Sequence, residues 1–305
     1  MPSTIRVITR GSKLARTQTN QVVKLLQQAN PAYTFEVTTV KTTGDKVTDR
    51  PLSSFRGTGV FVKELQKALL SGTADLAVHS LKDIPVEQPT GLHLAAFPAR
   101  ADVHDVLLSR KDEAFDGLPR KALVGTSSPR RFVQLQAARK DLRFSDLRGN
   151  LDTRLKKLED GHYDAIIMAA AGMNRMGMTY PDSGRLSFDT CLPAVGQGAL
   201  ALECRKDDVT TTSIAKSINH QNTLREITAE RNFLYTLGGG CSMPIAAYAR
   251  INGSTLQIDG MVGDPEAVRI ARTGLSADAD TFKAVGQELG QRMLELCKRK
   301  NIEII

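Results

Sequence analysis

The sequence predicts an α/β protein whose carboxyl-terminal part is a smaller α+β region. Two observations lead to this class. Short apolar strand patterns alternate with helical patterns from about residue 5 to residue 203, and three alternating segments followed by one helix close the chain. At 305 residues, with 41% hydrophobic and 24% charged residues, the chain is long enough for two or three domains of ordinary globular composition.

The first α/β unit is predicted from four strand patterns, at 5–9, 34–40, 74–78 and 92–97. Ser12 is a residue type that caps helices, and the segment after it has helical periodicity. The apolar face of this helix is predicted to carry Leu14, Gln18, Val22 and Leu25. A second helix is predicted over 62–70, so that strands and helices alternate as in parallel sheets.

The second unit repeats this alternation, with strand patterns at 122–124 and 164–169 and helices beginning at Ser128 and over 151–158. A strand at 199–203 follows a Gly-Gln-Gly turn. The last part of the chain predicts a helix at 224–237 and strands at 245–251, 255–262 and 268–273. The closing helix is predicted from its apolar face: Phe282, Val285, Leu289, Met293 and Leu296.

The charge balance suggests an anionic partner. Forty-one Lys and Arg against 33 Asp and Glu give a formal charge of +8, which suits nucleic-acid binding in general. However, only 5% of residues are aromatic, Trp is absent, and the basic residues do not form runs. We therefore expect no nucleic-acid partner and favour anionic small molecules.

Other classes are excluded by what the sequence lacks. No stretch is apolar and long enough to cross a bilayer, and the opening MPSTIRVITRGS has no signal-peptide core. We therefore expect a cytoplasmic protein with no membrane partner. The four cysteines and five histidines show none of the spacings of metal sites or of a disulfide framework, so no metal is predicted.

Cys241 lies in an unusual setting, directly after three glycines in the segment LGGGCSMP at 237–244. Glycines allow the backbone to turn and leave the thiol without bulky neighbours. Two interpretations remain open from this segment alone: a free surface thiol in a turn after a helix, or a thiol presented for reaction.

Six arginines fall at junctions between predicted strands and helices, where α/β sheets bind ligands: Arg10, Arg130, Arg131, Arg148, Arg154 and Arg175. The segment GTSSPRR at 125–131 combines hydroxyl side chains with the amino end of a helix, which favours anions. An isolated arginine at such a place is most often a surface ion-pair residue, whereas six together indicate a site for carboxylates or phosphates.

Asp83 brings a carboxylate into this basic setting, between Lys82 and Ile84 and just after an apolar strand. A carboxylate there can stabilise a developing cation or transfer a proton. It can equally be the ion-pair partner of Lys82 or cap the next turn, and the local sequence does not choose between these roles. His79 is interpreted as a hydrogen-bonded histidine at a strand end.

Eight segments together resemble the porphobilinogen deaminase family, in the family's order and from about residue 5 onward. They are TRGS (9–12), VFVKELQKAL (60–69), ADLAVHSLKDIPVE (74–87), VGTSSPRR (124–131), LRGNLDTRL (147–155), DAIIMAAAGMNRMG (164–177), LPAVGQGALALECR (192–205) and GGGCSMPIAAYA (238–249). No single segment is as specific as the set.

The resemblance implies roles for individual residues. The catalytic carboxylate corresponds to Asp83, and the family's dipyrromethane cofactor, joined to a cysteine by a thioether, corresponds to Cys241. Further cofactor contacts correspond to Lys82, Ser128, Arg130, Arg131 and Arg148. Substrate contacts correspond to Arg10, Ser12, Gln18, Arg148, Arg154 and Arg175.

The resemblance also implies a fold and a reaction. Two doubly wound domains like those of type II periplasmic binding proteins, with the active cleft between them, would take 1–99 with 200–218, and 100–199. A third domain, 219–305, would bear the cofactor loop. The reaction deaminates porphobilinogen and couples four units head to tail into hydroxymethylbilane. The partners are then porphobilinogen and the growing oligopyrrole, and a monomer is expected.

The chain departs from the family pattern in two places. Many members have a lysine where this chain has Thr58, and often another where it has Ser54; the acidic residue usual before GGC is Gly238 here. The segment 53–58 is therefore where the resemblance says least about function. The alternative function from a different class is a non-enzymatic anion-binding protein of the periplasmic type.

Overall fold

A computed structural model describes residues 3–42, 62–238, 243–264, 266 and 269–304. The chain divides into two compact units. The first comprises Met1–Arg50, Ser54–Ala101 and Gly198–Leu224, and the second comprises Pro51–Ser53, Asp102–Gln197 and Arg225–Ile305. The division into three domains at 1–99 with 200–218, 100–199 and 219–305 stays a prediction.

The strands of the described residues are, in chain order, β1 (Ser3–Arg10), β2 (Tyr33–Val40), β3 (Leu76–Ser80), β4 (Leu92–Ala96), β5 (Asp105–Ser109), β6 (Leu123–Gly125), β7 (Arg143–Ser145), β8 (Ala165–Ala169), β9 (Leu200–Arg205), β10 (Ile245–Asn252), β11 (Thr255–Gly263) and β12 (Ile270–Asp278). The helices are α1 (Lys13–Ala29), α2 (Lys63–Leu70), α3 (Pro129–Ala138), α4 (Leu151–Glu159), α5 (Ala170–Arg175), α6 (Val209–Lys216), α7 (Gln221–Thr236) and α8 (Phe282–Lys300). No helix in these described stretches is both long and apolar enough to cross a membrane.

The first unit is a mixed sheet with the strand order β2-β1-β3-β9-β4. β1 runs parallel to both β2 and β3, and β9 runs antiparallel to β3 and β4. Because side chains alternate along a strand, Val7 packs with Val22 of α1 on one face, while Ile8 packs with Leu65 of α2 on the other. Helices on both faces make this a doubly wound unit, as predicted.

The buried face of α1 differs from the predicted one. Ser12 caps the helix as expected, with its Oγ accepting a hydrogen bond from the backbone N–H of Ala15 at 3.3 Å. Gln18 and Val22 are buried as predicted, but Leu25 is 43% exposed, and Leu14 is not in the buried set. The buried stripe lies about one residue further along and consists of Ala15, Gln18, Thr19, Val22 and Leu26.

The second unit contains an α/β sheet with the order β5-β8-β6-β7. β6 runs parallel to β7 and β8, and β5 runs antiparallel to β8. Ile167 and Leu135 of α3 share one buried cluster, while Ile166 and Leu158 of α4 share another, so helices again cover both faces. The strands β5 and β7 were not predicted from the sequence.

The carboxyl-terminal region is an α+β arrangement, as predicted, with β10, β11 and β12 in an antiparallel sheet packed against α8. The third strand begins at Ile270 and runs to Asp278, so the predicted span of 268–273 was too short at its end. Helices α7 and α8 approach so closely that a Cβ added at Gly286 of α8 would collide with the backbone of Ala229 of α7. Val133 of α3 is buried with Met261 of β11, which ties this region to the α/β sheet of the same unit.

Candidate active site

The carboxyl ends of two parallel neighbours, β1 and β3, bring the predicted polar residues of the first unit together. Arg10 is the last residue of β1, and Asp83 ends the single 3₁₀ turn, Leu81–Asp83, that follows β3. Arg10 Nη1 lies 3.8 Å from Asp83 Oδ2. Both residues line a pocket, whose other lining residues are Ala15, Gln18, Val62, Val78, His79 and Ser80.

Asp83 is held loosely enough to act on a ligand. Its side chain is 35% exposed, and the 3.8 Å separation from Arg10 is an ion pair without hydrogen-bond contact. Within the described residues, the ion partner of Asp83 is Arg10 rather than Lys82. Lys82 itself is exposed. The carboxylate therefore stands at the pocket wall in a basic setting, which suits stabilisation of a developing cation.

Gln18 is buried and joins α1 to the end of β3. Its Oε1 accepts a hydrogen bond from Ser80 Oγ at 3.2 Å. Gln18 and Ser80 both line the pocket, so this bond fixes two polar side chains at its wall. Ser12, by contrast, uses its hydroxyl oxygen to cap α1.

His79, which lines this pocket, belongs to a group of three buried polar residues with Gln66 and Glu203, and of these only His79 was singled out from the sequence. Glu203 of β9 is fully buried, and its Oε1 accepts a hydrogen bond from Gln66 Nε2 at 2.9 Å. Its Oε2 lies 2.9 Å from His79 Nε2, without hydrogen-bond geometry. His79 is buried near the end of β3, as interpreted from the sequence, but its Nε2 makes no hydrogen bond within the described residues. The only signal for Glu203 was a carboxylate inside the apolar strand ALALECR.

In the second unit, the carboxyl ends of β6, β7 and β8 lie at one edge of the sheet because these strands are parallel. Ser128 follows β6 and caps α3, its Oγ accepting from the backbone N–H of Arg131 at 3.4 Å. Arg148 follows β7, and Arg175 ends the helix that follows β8. Ser128 and Arg148 therefore lie in the connections after their strands, as predicted, whereas Arg175 lies one helix away from the end of β8. The roles of all three stay predictions.

Arg130 and Arg131 lie in the first turn of α3, and both guanidinium groups contact Asp105. Arg131 donates to Asp105 Oδ1 from Nε at 3.0 Å and from Nη2 at 2.7 Å. Arg130 Nη2 lies 2.7 Å from Asp105 Oδ2. The arginines are only 5% and 7% exposed, and Asp105 is fully buried. From the sequence, the two arginines were interpreted as forks for a ligand's carboxylate or phosphate, and Asp105 was not identified as their partner.

Arg148 has a hydrogen-bond donor that the described residues leave unsatisfied. Its Nη2 is buried and has no hydrogen-bond partner among them. Gly149, next in the chain, has φ +110°, and a Cβ there would lie 2.7 Å from the Thr153 side chain, so the turn requires glycine. A buried unpaired guanidinium nitrogen is costly, and a ligand oxygen would satisfy it.

Arg154 lies within α4 and Arg175 at the end of α5, so neither is directly at the strand–helix junction predicted from the sequence. Arg154 Nε donates to the backbone carbonyl of Gly149 at 2.9 Å, which holds its side chain beside the turn that carries Arg148. Burial lowers the pKa of Arg175 to about 10. A carboxylate bound beside Arg175 would offset this cost of burying its charge.

The cysteines of the described residues are poor nucleophiles. Cys191, Cys204 and Cys297 are all buried. Burial raises the pKa of the Cys191 thiol to about 12 and raises the pKa of the other two. A thiolate is the reactive form, so none of the three suits covalent attachment. Cys241 and the segment 53–58 lie outside the described residues.

Two family models match most of the chain. One, described as "Porphobilinogen deaminase, dipyromethane cofactor binding domain", matches residues 5–213, and the other, "Porphobilinogen deaminase, C-terminal domain", matches residues 224–295. This chain belongs to the porphobilinogen deaminase family. The cofactor-binding match contains the predicted site residues from Arg10 to Arg175, and Cys241 falls within the C-terminal match.

Curated relatives agree with this family over nearly their whole length. The porphobilinogen deaminase of Syntrophus aciditrophicus is 44% identical over 291 residues, which are 95% of this chain and 95% of the relative. The porphobilinogen deaminase of Brevibacillus brevis is 45% identical over 290 residues, which are 95% of this chain and 93% of the relative. The porphobilinogen deaminase of Alkaliphilus metalliredigens is 40% identical over 302 residues, which are 99% of this chain and 96% of the relative.

Similar solved structures include the methionine-binding protein MetQ, with a TM-score of 0.45 and 14% identity over 76% of this chain and 95% of that chain. The VFT2 domain of Bordetella pertussis BvgS gives a TM-score of 0.42 and 18% identity over 71% of this chain and 85% of that chain. The doubly wound fold described above rests on the strand orders of the two sheets.

Proposed function

We propose that this chain is a porphobilinogen deaminase, a transferase that deaminates porphobilinogen and couples four units head to tail into hydroxymethylbilane. The observation that carries the proposal is the placement of Asp83, a partly exposed carboxylate on a pocket wall 3.8 Å from Arg10, in a chain of this family. The non-enzymatic anion-binding alternative has no observation in its favour.

The cofactor-binding domain of this family carries dipyrromethane, and the residues of this chain fit such a group. The unsatisfied Nη2 of Arg148 and the costly burial of Arg175 are what a site for carboxylate side chains requires. When bound, the cofactor supplies the pyrrole carbon onto which the first substrate unit is coupled. We propose that Cys241 holds it covalently, because the three described cysteines are buried thiols of raised pKa.

Further contacts to the cofactor are proposed for the residues matched in the family motifs: Lys82, Ser128, Arg130, Arg131 and Arg148. Their shared property is a positive charge or a hydroxyl in the loop or the first helical turn that follows a strand. Arginine suits this task because its planar fork donates two hydrogen bonds to one carboxylate.

Asp83 is proposed to be the catalytic carboxylate. Loss of ammonia from porphobilinogen leaves an electron-poor methylene attached to the pyrrole ring, and a nearby negative charge stabilises that species. Arg10, at 3.8 Å, is close enough to orient Asp83 and is not hydrogen-bonded to it. Substrate contacts are proposed for Arg10, Ser12, Gln18, Arg148, Arg154 and Arg175, whose cationic and polar groups suit the two carboxylates of each unit.

The test is Asp83→Asn, with turnover and melting temperature measured on the same preparation. Asn keeps the shape but removes the charge and the titratable proton, so turnover is expected to fall roughly 10²–10⁴-fold while the fold stays intact. The Asp83→Glu variant tests whether a carboxylate at a shifted position still supports turnover. Near-normal turnover in the Asn variant, together with a lower melting temperature, would show that Asp83 is only an ion-pair residue.

A monomeric state, a cytoplasmic location and the absence of nucleic-acid or membrane partners complete the proposal and stay predictions. Size-exclusion chromatography with light scattering tests the first of these directly. A stable dimer at working concentration would contradict it.

A further inference from the structure

A buried polar cluster in the second unit has Asp105 at its centre. Besides the contacts from Arg130 and Arg131, Asp105 Oδ1 accepts a hydrogen bond from Gln197 Nε2 at 3.0 Å. Its Oδ2 accepts one from the Cys191 thiol at 3.3 Å. One carboxylate thus receives donors from four different residues, and each oxygen contacts a different arginine.

The arginines are fixed on their other sides by the backbone. Arg131 Nη1 donates to the carbonyl of Ile167 on β8 at 3.0 Å. Arg130 Nη1 donates to the carbonyl of Leu192 at 2.6 Å. Asp105 begins β5, which pairs with β8, so the guanidinium groups are held between the sheet and α3. Neither group can rotate without breaking a contact to Asp105.

The cluster carries a net positive charge. Two guanidinium groups face one carboxylate, and the remaining contacts are neutral: an amide, two backbone carbonyls and a thiol. Burial raises the pKa of the Cys191 thiol to about 12, so it contributes no negative charge. Burial opposes ionisation of Asp105, but Arg130 and Arg131 lower the pKa of its carboxyl below the ordinary value, so it is ionised.

A net positive charge at the amino end of α3 favours the binding of an anion there. Ser128 caps this helix, and the helix dipole adds to the positive potential there. One buried carboxylate cannot neutralise both arginines, and a further anion would complete the balance. Arg130 and Arg131 thus provide the positive charge, and Asp105 determines the position of their guanidinium groups.

We propose that Asp105 is a positioning residue for the Arg130–Arg131 pair, holding both guanidinium groups where they bind carboxylates of the dipyrromethane cofactor. This inference rests on the proposed function. It assigns a role to a residue that makes no contact with the reacting groups and acts through two residues that the family motif assigns to the cofactor.

The experiment replaces Asp105 by Asn and, separately, by Glu, and follows the adduct on Cys241 by intact mass. Adduct-free chain is incubated with porphobilinogen, and the concentration that gives half-maximal adduct formation is measured below each variant's own melting temperature. Both variants are expected to raise this concentration at least about tenfold, the effect of losing one well-placed charged hydrogen bond. Asp105→Glu keeps the charge, so it remains informative if Asp105→Asn does not fold.

Asp141→Asn is the matched control. Asp141 pairs at 2.8 Å with Arg139, the residue that follows the carboxyl end of α3, so this change removes an Asp–Arg pair without altering the cluster around Asp105. This variant is expected to form the adduct like the unmodified chain. A merely structural role for Asp105 predicts lower melting temperatures with normal adduct formation in the folded Glu variant, and that result would overturn the proposal. If the unmodified chain itself forms no adduct, the proposed function fails instead.

Discussion

Replacing Arg148 by Met is expected to stabilise the cofactor-free fold, which is the opposite of what most buried substitutions do. Arg148 Nη2 is buried and lacks a hydrogen-bond partner among the described residues. An unsatisfied buried donor costs about 1–3 kcal/mol, and Met removes the donor while keeping an unbranched apolar stem. In a Cys241→Ala background, the free energy of unfolding should therefore rise by about 1 kcal/mol in urea titrations.

The same substitution is expected to weaken ligand binding. A charge-assisted hydrogen bond to a carboxylate contributes roughly 1.5–3 kcal/mol, which corresponds to a factor of about 10–150 in affinity. In the chain that keeps Cys241, the porphobilinogen concentration for half-maximal turnover should rise by such a factor. Arg148→Lys should restore little of this loss, since an ammonium group cannot form the two-pronged contact.

Arg139→Met is the control for Arg148. The Arg139 guanidinium is fully engaged, with Asp141 and with the backbone carbonyls of Phe115 and Leu118. Its loss should lower stability and leave binding unchanged. If Arg148→Met instead destabilises the protein as Arg139→Met does, and binding does not change, Arg148 is a structural residue and the reasoning is refuted.

Two further predictions concern stability and the thiols. Burial raises the pKa of Asp75, but hydrogen bonds from Arg6 and Arg205 outweigh it and lower the value to about 2. Asp75→Asn should therefore cost about 2 kcal/mol of unfolding free energy at neutral pH, and the difference from the unmodified chain should shrink as pH falls from about 4 towards 2; a constant difference would refute the ion-pair account. Replacing Cys191, Cys204 or Cys297 by Ala should leave the covalent adduct in place, because these buried thiols take no part in attachment; loss of the adduct in any one of them would contradict this.

The sequence predicted that Arg10 and Asp83 lie after apolar strands, and the sheet topology explains why they meet. Arg10 and Asp83 each follow an apolar strand, and once β1 and β3 are parallel neighbours their side chains must meet at one edge. The finding that Asp83 pairs with Arg10 and not with Lys82 needed coordinates, because adjacency in sequence does not determine which side chains meet. The catalytic role of Asp83 stays a proposal.

Long-range polar contacts could not be predicted from sequence. Gln66 and Glu203 are 137 residues apart, and no periodicity relates them. The same holds for Asp105 and Arg131, which are 26 residues apart. The local pattern GTSSPRR predicts an anion site at a helix start, but it contained no sign that the buried carboxylate of Asp105 holds both arginines. The buried stripe of α1 was misplaced by about one residue because Leu14 and Leu25 sit at its borders.

The intact mass of the purified chain tests the central claim most directly. The account predicts a mass above that of the bare polypeptide by one dipyrromethane, and loss of both the added mass and the activity in Cys241→Ala. An active preparation whose mass equals that of the bare polypeptide, or a Cys241→Ala variant that keeps the adduct, would contradict it.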